Sequence, residues 1–400
     1  MKITVFSYVF KPESFLINEL CEALCERHSI CVYTGLPNYP HGNLYEGYSF
    51  AGPYNENFGK IQVVRYPICP RKKGFLNLAL NYLSHIFFSL INLFRLPKSD
   101  VYFVFATSPL LIAIPAILLK KIRPRPLIIW YQDLWPDSFV AVTKSSPHSL
   151  FVKFLESITR WIYKNTDIMM IQSMGFESNL IQHSYKGKII HIPNWAPDFN
   201  PLFKSADWIQ KYKKHKCLVT FAGNVGTAQD LKTLLDAATH LKDLDIGFLI
   251  VGDGRERESL QKRCLELELN NFYFPGKKDL KEMPALFEAS DFLYLSLAKD
   301  ELFSKTVPAK LQAYMSVSKP IIAAIDGEGS RTIAEAHCGY CGPAESVEEL
   351  AKNLRKAYLL DDQARNAMGK NGNLYYLKNF EKSLVIKQIE DTLLNVQLKT

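Results

Sequence analysis

Residues 217–227 have the sequence CLVTFAGNVGT, and residues 246–255 have the sequence IGFLIVGDGR. In each stretch an apolar run, Cys217–Phe221 or Phe248–Val251, leads directly into a turn that contains two glycines. A helical pattern follows each turn, the first at Gln229–His240. Buried strands that alternate with amphipathic helices predict parallel strands joined by crossover helices.

The same alternation extends over the whole chain. In the first half, the predicted strands are the apolar runs Ile3–Val9, Ile30–Thr34, Val101–Phe105, Leu127–Tyr131, Asp167–Ile171 and Lys188–Ile192. In the second half, further strands are predicted at Phe272–Phe274, Phe292–Ser296 and Pro320–Ala324. Residues 193–201 contain three prolines, which predict a stiff connection between the halves. The sequence therefore predicts an α/β protein with two open parallel-sheet domains, whose ligands bind beyond the carboxyl ends of the strands.

Length and composition exclude several classes of protein. Of the 400 residues, 48% are hydrophobic and 22% are charged, which excludes disordered, collagenous and coiled-coil proteins. A net charge of +8 is too small to indicate nucleic-acid binding, but it allows a basic patch for phosphates or an anionic membrane. The eight cysteines do not form a disulfide scaffold, and Cys338–Cys341 lacks the second CxxC pair of a zinc site. Met1–Ser7 is typical of a strand rather than a signal peptide, so a cytoplasmic protein is expected.

The stretch Phe75–Leu96 is long and apolar, and it follows the basic run Arg71-Lys72-Lys73. Its polar residues, among them Asn81 and His85, recur every three or four positions and gather on one helical face. Three interpretations are open. The stretch is a core-facing helix of the first domain, a helix that lies in a membrane interface, or a membrane-spanning helix, which the polar residues disfavour.

The two glycine turns are candidate phosphate sites. Gly223, Asn224 and Gly226 belong to the first turn, and Gly254 and Arg255 belong to the second. Glycines let backbone amides come close to a phosphate, and the N-terminus of the following helix adds positive potential. Because many turns of α/β proteins contain two glycines, an ordinary structural turn is the alternative. Two such turns after successive strands predict a nucleotide site in the second domain.

Two later segments extend this predicted site. Gly276 and Lys277 follow the next strand of the second half and are candidates for holding a nucleotide base, with an ordinary loop as the alternative. Lys305, Thr306 and Lys310 lie just before or at the start of a predicted helix. Ammonium and hydroxyl groups gathered near a helix N-terminus suit a diphosphate.

In the first half, Asp133 is the strongest candidate for a catalytic group. It lies in the segment WYQDLWPD, residues 130–137, at the carboxyl end of a predicted strand, where side chains of an open sheet contact ligands. The alternative is a carboxylate that caps the next turn. The patterns GxSxG, HExxH and GxxxxGK[ST], and a GxGxxG after the first strand, are missing from the sequence, which argues against other chemistries and against a nicotinamide enzyme in particular.

These motifs resemble those of the large glycosyltransferase family 4, whose members have the two-domain GT-B fold. The resemblance covers nearly the whole chain and is strongest to the subgroup of fucosamine transferases and colanic-acid-type enzymes that build bacterial surface polysaccharides. In the first half it is carried by Lys11–Phe15, Thr34–Pro40, Tyr45–Tyr48 and Gln132–Pro136. In the second half it is carried by Ile192–Trp195, Gly223–Gly226, Val251–Gly254, Ser304–Pro308 and Asp326–Gly329.

The resemblance implies two Rossmann-like domains that face a cleft: an acceptor domain at residues 1–195, a nucleotide-sugar domain at 202–382, and a helix at 383–400 that returns to the first domain. It implies retaining transfer of a sugar, such as an N-acetylated amino or deoxyamino hexose, from a UDP-linked donor without a metal or other cofactor. The implied acceptor is a polyprenyl-diphosphate-linked saccharide in O-antigen or capsule synthesis. The enzyme would associate peripherally with the inner membrane through the Phe75–Leu96 helix.

Several positions depart from the family pattern. Where many relatives carry two glutamates, this chain has Lys305 and Ala313, and Glu328 is the candidate substitute for gripping the ribose. Where relatives carry an arginine and a lysine in the first phosphate turn, this chain has Asn224 and Gln229. The positive charge is therefore predicted to come from other residues, namely Lys305, Lys310 and Arg255.

The roles that follow are those of a transferase. Lys305 and Lys310 would stabilise the departing UDP as its negative charge develops. Asp133 falls where many members have a histidine near the donor sugar, and a carboxylate there accepts a proton or orients a hydroxyl. Two alternatives are a nucleotide-sugar epimerase on the same fold and a sugar-nucleotide-binding subunit that has lost activity.

Overall fold

The computed structural model describes residues 1–40, 42–71, 74–143, 146, 148–199 and 207–397. Four sequence predictions extend beyond these ranges, and the parts that do so lie outside the described residues. These parts are the last two residues of the basic run (Lys72 and Lys73), the end of the linker (residues 200 and 201), the start of the second domain (residue 202) and the end of the returning helix (residues 398–400).

The chain forms two compact units. The first consists of residues 1–193 together with 383–400, and the second of residues 194–382. The sequence predicts the first boundary at residue 195 and the start of the returning helix at residue 383. The final helix therefore belongs to the unit that the N-terminal half of the chain forms.

The first unit contains an eight-stranded sheet in the order β3-β4-β2-β1-β5-β6-β7-β8. Its strands are β1 (Lys2–Ser7), β2 (Ser29–Gly35), β3 (Asn55–Phe58), β4 (Ile61–Tyr66), β5 (Val101–Ala106), β6 (Leu127–Tyr131), β7 (Ile168–Ile171) and β8 (Lys188–His191). All neighbours are parallel except β3 and β4. In register, Val5 of β1 lies opposite Val32 of β2 and Phe103 of β5. Every residue of β5 and β6 is buried, as expected of parallel strands that are covered on both faces.

The sequence does not predict the β3–β4 hairpin. Strand β3 is Asn-Glu-Asn-Phe at the edge of the sheet, too short and too polar to produce an alternating apolar pattern. The hairpin is held by Arg65 of β4, which is fully buried and pairs with Glu56 of β3. Arg65 also donates a hydrogen bond of 3.0 Å to the carbonyl oxygen of Gly35, so the charge pair ties the hairpin to β2.

The helices of the first unit are α1 (Leu16–Leu24), α2 (Phe75–Ile91), α3 (Ala113–Ile122), α4 (Asp137–Thr143), α5 (Leu150–Lys164) and α6 (Phe176–Gln182). Helix α1 begins at Leu16, and Glu13 lies in the loop between β1 and this helix. The Glu13 carboxylate is buried and accepts the amides of Asn38 at 2.9 Å and Tyr39 at 2.7 Å. Glu13 therefore ties the loop after β1 to the loop after β2.

The second unit contains a six-stranded, fully parallel sheet in the order β11-β10-β9-β12-β13-β14. Its strands are β9 (Cys217–Ala222), β10 (Ile246–Val251), β11 (Phe272–Gly276), β12 (Phe292–Ser296), β13 (Ile321–Ala324) and β14 (Gly339–Gly342). Successive side chains enter different halves of the core: Phe248 and Phe292 pack in one, Leu249 and Leu293 in the other. Strand β14, which the sequence does not predict, includes Cys341 of the CxxC motif.

The helices of the second unit are α7 (Asp207–Gln210), α8 (Leu231–Ala238), α9 (Arg257–Glu266), α10 (Met283–Ala289), α11 (Glu301–Ser304), α12 (Ala309–Ser316), α13 (Gly327–Ala336), α14 (Val347–Tyr358) and α15 (Asp362–Asn379). The last helix of the chain, α16 (Lys382–Gln397), is anchored in the first unit. There the buried Glu390 carboxylate contacts His28 at 2.7 Å and Arg27 at 2.8 Å. The predicted fold class, α/β with two Rossmann-like parallel-sheet domains, is confirmed.

Candidate functional site

The carboxyl edge of the second sheet carries a cavity of about 1010 Å³, which we call the C-terminal cavity. The loops after β9, β10 and β11 contribute to it, together with α10 and α12. Its lining consists of Phe199, Ala222, Gly223, Asn224, Val251, Gly252, Asp253, Gly254, Arg255, Lys277, Lys278, Leu280, Met283, Phe287, Lys310, Ala313 and Tyr314. The structure thus brings together six residues that the sequence predicts for the nucleotide site: Gly223, Asn224, Gly254, Arg255, Lys277 and Lys310.

The two glycine turns pack directly on each other. The amide of Gly223 donates to the carbonyl oxygen of Val251 at 2.9 Å. Gly252 and Gly254 have φ angles of 140° and 158°, in the region that favours glycine. A Cβ at either position would collide with the carbonyl oxygen of Gly223 or Val225. The glycines are therefore required for the contact between the turns, a reason that the sequence does not reveal.

Lys310, in the first turn of α12, crosses the first glycine turn. Its alkyl chain fills the space next to Gly223, where a Cβ would overlap it. Its ammonium group lies 4.0 Å from the centroid of the Phe221 ring and donates a hydrogen bond to Oε1 of Gln229. Burial lowers the pKa of Lys310 to about 7, because a low-dielectric environment disfavours the charged form. A phosphate beside this amine would restore its charge.

The charged side chains of the C-terminal cavity are predominantly basic. Arg255, Lys277 and Lys278 join Lys310, whereas Asp253 is the one acidic residue among the described residues of the lining. Arg255 is exposed and makes no ion pair within the described part of the chain. The Asp253 carboxylate accepts the amide of the next residue at 2.8 Å. This excess of positive charge suits a polyanion such as a diphosphate.

Arg257, which no motif in the sequence singles out, lies beside this site. It is the first residue of helix α9, two positions after Arg255. The Nη2 of Arg257 donates to the carbonyl oxygen of Phe274 at 3.1 Å. The Nε of Arg257 is buried and has no hydrogen-bond partner among the described residues. Arg257 therefore ties β11 to the start of α9.

Of the predicted donor-site residues, three that carry polar side chains lie outside the described lining of the C-terminal cavity. Lys305 pairs with Glu301, one helical turn earlier, at 2.7 Å. Thr306 donates its hydroxyl to a backbone carbonyl one turn earlier at 3.1 Å. Glu328 pairs with Arg331 on α13. Residues within one helical turn thus engage all three side chains, and the roles of these side chains toward a donor stay predictions.

Two predicted glycines adjoin the cavity without contributing to its described lining. Gly226 precedes the short 3-10 turn Thr227–Gln229. Gly276 ends β11 with a φ of 82°, and its carbonyl oxygen accepts the amide of Gly252 at 3.0 Å. Gly276 therefore links the loop after β11 to the second glycine turn.

The carboxyl edge of the first sheet carries a second cavity, of about 410 Å³, which we call the N-terminal cavity. Aromatic rings form much of its wall: Tyr8, Phe15, Tyr39, Tyr82, Trp135 and Phe139. Polar side chains lie between them: Asn38, Arg71, Asn81, His85, Thr107, Ser108, Asp133, Ser138 and Thr143. A concave site in which polar side chains lie among aromatic and apolar surfaces is typical of small-molecule binding.

Asp133 lies in the N-terminal cavity, at the carboxyl end of β6. Its Oδ2 accepts the backbone amide of Ser108, on the loop after β5, at 3.0 Å. Solvent reaches the side chain, yet the surrounding walls desolvate the carboxylate and raise its pKa, an effect that the Ser108 amide partly offsets. The carboxylate therefore binds the neighbouring loop while lining the cavity.

Two residues of the same cavity carry buried donors without a hydrogen-bond partner among the described residues. They are the hydroxyl of Tyr8 and the Nε1 of Trp135, and both residues are more than nine-tenths buried. A buried donor without a partner costs about 1–3 kcal/mol, and neither donor atom is accessible to solvent in this structure. Both residues follow strands of the first sheet, and the rule that identifies Asp133 could have found them.

Helix α2 places polar side chains inward and apolar side chains outward. Asn81 and Ser89 are 3% and 1% exposed, whereas Leu83 and Phe87 are 63% and 60% exposed. The outward apolar side chains form a row, which we call the α2 stripe and which consists of Leu80, Leu83, Phe87 and Ile91. Among the described residues, no helix combines the length and the apolarity needed to cross a bilayer. The helix thus packs on the first unit while its apolar row faces solvent.

Comparison with known proteins identifies the second unit. Residues 204–374 match the family described as Glycosyl transferases group 1. The chain carries a group 1 glycosyltransferase domain. The enzyme class that the sequence resemblance predicts is confirmed.

Two relatives extend the likeness of this glycosyltransferase beyond that domain. It is 25% identical over 383 residues to "Putative colanic acid biosynthesis glycosyl transferase WcaI" of Escherichia coli (strain K12), an alignment that covers 90% of this chain and 93% of the relative. It is 24% identical over 279 residues to "Probable glycosyltransferase WbjE" of Pseudomonas aeruginosa, covering 67% of this chain and 68% of the relative.

The glycosyltransferase also resembles solved structures over its full length. HepE of Anabaena, solved in complex with UDP, has a TM-score of 0.73 at 16% identity, with 99% of this chain and 100% of that chain covered. At that identity the likeness shows the fold alone. The structural neighbours are GT-B glycosyltransferases, so the predicted GT-B fold is confirmed.

Proposed function

We propose that this enzyme transfers a hexose from a UDP-sugar, bound in the C-terminal cavity, to a saccharide bound in the N-terminal cavity. The acceptor we propose is linked to a polyprenyl diphosphate, and the product enters a bacterial surface polysaccharide such as an O-antigen or a capsule. Support for this pathway is the name of WcaI, which refers to colanic acid biosynthesis. Support for the donor is HepE, which was solved with UDP.

One observation carries the donor assignment: the Lys310 ammonium lies in the first glycine turn, where Gln229 and Phe221 hold it. The resemblance predicts basic residues at positions 224 and 229 of this turn, where the sequence has Asn224 and Gln229. Lys310 reaches the same turn from α12 and supplies the missing charge. Its lowered pKa means that a diphosphate gains a charged partner by drawing a proton onto the amine.

The proposed reaction needs no group beyond the two substrates and the protein. The bond between the anomeric carbon and the diphosphate oxygen breaks, and its electron pair leaves with UDP. The acceptor hydroxyl oxygen forms the new bond to the anomeric carbon, with retention of configuration as the family resemblance implies. The hydroxyl proton passes to a carboxylate or phosphate oxygen. Lys310 stabilises the charge that develops on UDP, and no metal is proposed.

On the acceptor side, we assign Asp133 to the orientation of the attacking hydroxyl. Its carboxylate lines the N-terminal cavity and keeps an acceptor oxygen beyond the bond to Ser108. The aromatic walls of this cavity suit the apolar C–H faces of sugar rings. Because its pKa is raised, Asp133 is a better proton acceptor than an ordinary aspartate.

We further propose that the enzyme works at the cytoplasmic surface of the inner membrane. The α2 stripe supplies an apolar surface for the lipid interface. All charged side chains between positions 71 and 98 are basic, namely Arg71, Lys72, Lys73, Arg95 and Lys98. Apolar side chains flanked by basic ones favour association with anionic lipids.

Calorimetric titration with UDP, UMP and uridine tests the donor assignment. Since Lys310 and its basic neighbours act on phosphates, we expect UDP to bind at least ten times more tightly than uridine, with UMP between them. Equal binding of UDP and uridine would overturn the assignment. Incubation with UDP-N-acetylglucosamine alone provides the second arm: formation of a new epimer would indicate an epimerase and contradict the transferase proposal.

A further inference from the structure

Helix α2 contributes to two surfaces at once. One side of the helix lines the N-terminal cavity with Leu78, Asn81, Tyr82 and His85. The other side carries the α2 stripe. At 3.6 residues per turn, the average directions of these two sets point to opposite sides of the helix axis. The thickness of a single helix therefore separates the floor of the cavity from the exposed apolar row.

The partner of the α2 stripe is best explained as an anionic lipid surface. The segment from residue 71 to residue 98 contains five basic residues and no acidic residue, so its charge complements anionic headgroups. The stripe runs from Leu80 to Ile91 of the helix Phe75–Ile91, about 17 Å at 1.5 Å per residue. A helix with such a row lies in the plane of the interface, its apolar side chains among the acyl chains.

We propose that the N-terminal cavity lies about one helix diameter, about 10–12 Å, from the bilayer surface on which α2 rests. The acceptor hydroxyl in the cavity then belongs to the first or second sugar on the lipid diphosphate. A hydroxyl at the far end of a long oligosaccharide would extend past the cavity. This inference rests on the proposed function, and it places the enzyme early in the assembly of the polysaccharide.

The side chains of the cavity fit such a head group. Arg71, four residues before α2, lines the cavity and makes no side-chain hydrogen bond or ion pair within the described part of the chain. A guanidinium binds phosphate oxygens in a bidentate manner. Neutral polar side chains of the same lining, among them Thr107 and Ser108, offer hydrogen bonds to the attached sugar. The cavity thus pairs a cation for the diphosphate with neutral donors for the saccharide.

The chemistry of this acceptor defines the reaction that must supply it. A lipid monophosphate and a nucleoside-diphosphate sugar must first react to give the lipid diphosphate sugar, with release of a nucleoside monophosphate. The enzyme described here would act on that product or on the disaccharide made from it. Its own product would be the acceptor for further glycosyl transfers.

The distance between the cavity and the bilayer can be measured directly. A fluorophore is attached at S138C, in the N-terminal cavity, or at E22C, on α1. The right-handed crossover rule places α1 and α2 on opposite faces of the sheet, because the crossovers β1-α1-β2 and β4-α2-β5 run in opposite directions across it. Cys25, Cys69 and Cys341, the thiols with solvent access, are replaced by serine. Energy transfer to acceptor-labelled headgroups is measured on phosphatidylglycerol–phosphatidylethanolamine vesicles.

We expect the S138C label to approach the bilayer to about 10–15 Å, and the E22C label to stay farther away by at least one more helix diameter, about 10 Å. A S138C label as distant as the E22C label on bound vesicles would overturn the inference. Failure of the protein to bind these vesicles would also overturn it. Calorimetric titration with UDP reports separately on the proposed transferase function, which fails if UDP does not bind.

Discussion

Replacement of Lys310 by methionine tests the donor site most directly. Methionine keeps an unbranched chain next to Gly223 and on the Phe221 ring but removes the charge. A hydrogen bond to a charged group contributes about 1.5–3 kcal/mol. The affinity for UDP is therefore expected to fall about 10- to 100-fold at pH 7.

The pH dependence of UDP binding also tests the role of the Lys310 charge. The pKa of Lys310 is about 7 in the free enzyme, and a bound diphosphate raises it, so binding takes up a proton and weakens as the pH rises above 7. Between pH 7 and pH 9 the charged fraction of Lys310 falls from about one half to about one hundredth. The wild-type affinity is expected to fall by up to about 50-fold over this range, whereas K310M stays nearly constant. UDP itself is almost fully ionised there, since the last phosphate pKa is about 6.

Isothermal titration calorimetry at pH 7, 8 and 9, in buffers of different ionisation enthalpy, measures both the affinity and the proton uptake. The matched control is K232M, since Lys232 is an exposed lysine of α8 outside the described lining of the C-terminal cavity. K232M is expected to bind UDP like the wild type. Wild-type UDP affinity in K310M would refute the assignment of Lys310 to the diphosphate. A wild-type affinity that does not change between pH 7 and pH 9 would refute it as well.

Three further predictions concern the turns, the acceptor site and the α2 stripe. Gly252→Ala is expected to lower the free energy of unfolding by about 2–3 kcal/mol, because the added Cβ collides with a backbone carbonyl. Thermal melting measures this loss. The milder control is Gly59→Ala, where the added Cβ meets only open space. Asp133→Asn is expected to lower kcat about 100-fold while UDP affinity stays unchanged. Phe87→Asp is expected to reduce co-sedimentation with phosphatidylglycerol vesicles at least tenfold without changing the melting temperature. The control is Leu377→Asp, because Leu377 belongs to the second unit and is 51% exposed. This control is expected to leave vesicle binding unchanged.

Each of these predictions can fail in a recognisable way. Equal melting temperatures for Gly252→Ala and Gly59→Ala would contradict the packing of the two glycine turns. Wild-type turnover in Asp133→Asn would remove this residue from the acceptor site. Equal loss of vesicle binding in Phe87→Asp and Leu377→Asp would indicate that any added negative charge weakens binding, and the stripe would lose its assigned role.

Local sequence patterns predict most of the architecture. Strands such as Val101–Ala106 are apolar at nearly every position, and an element that is buried on both faces produces this signal without any knowledge of its neighbours. The hairpin at residues 55–66 escapes prediction because β3 is short and polar and because the pairing of the buried Arg65 with Glu56 joins its two strands. Such a charge pair has no local periodicity.

The candidate site is predicted less evenly. Asp133 could be found because the carboxyl end of a strand in an open sheet is a general ligand position. Lys305 and Lys310 are five residues apart and look equivalent in the sequence, yet Glu301 engages the first while the second crosses the glycine turn. The difference depends on where α11 ends and α12 begins, which the residue types alone do not set.

The amino-acid order was sufficient for features that arise within a few residues of each other: strand and helix periodicity, glycine turns, proline connections and polar groups at strand ends. The folded chain was needed for everything that depends on distant residues meeting. It turned the polar side of α2 inward, brought Lys310 to Gln229 from 81 positions away, and buried the Tyr8 and Trp135 donors where no described residue hydrogen-bonds to them. The physical reason is that burial and charge pairing depend on which surfaces meet, and those surfaces come from segments far apart in the chain.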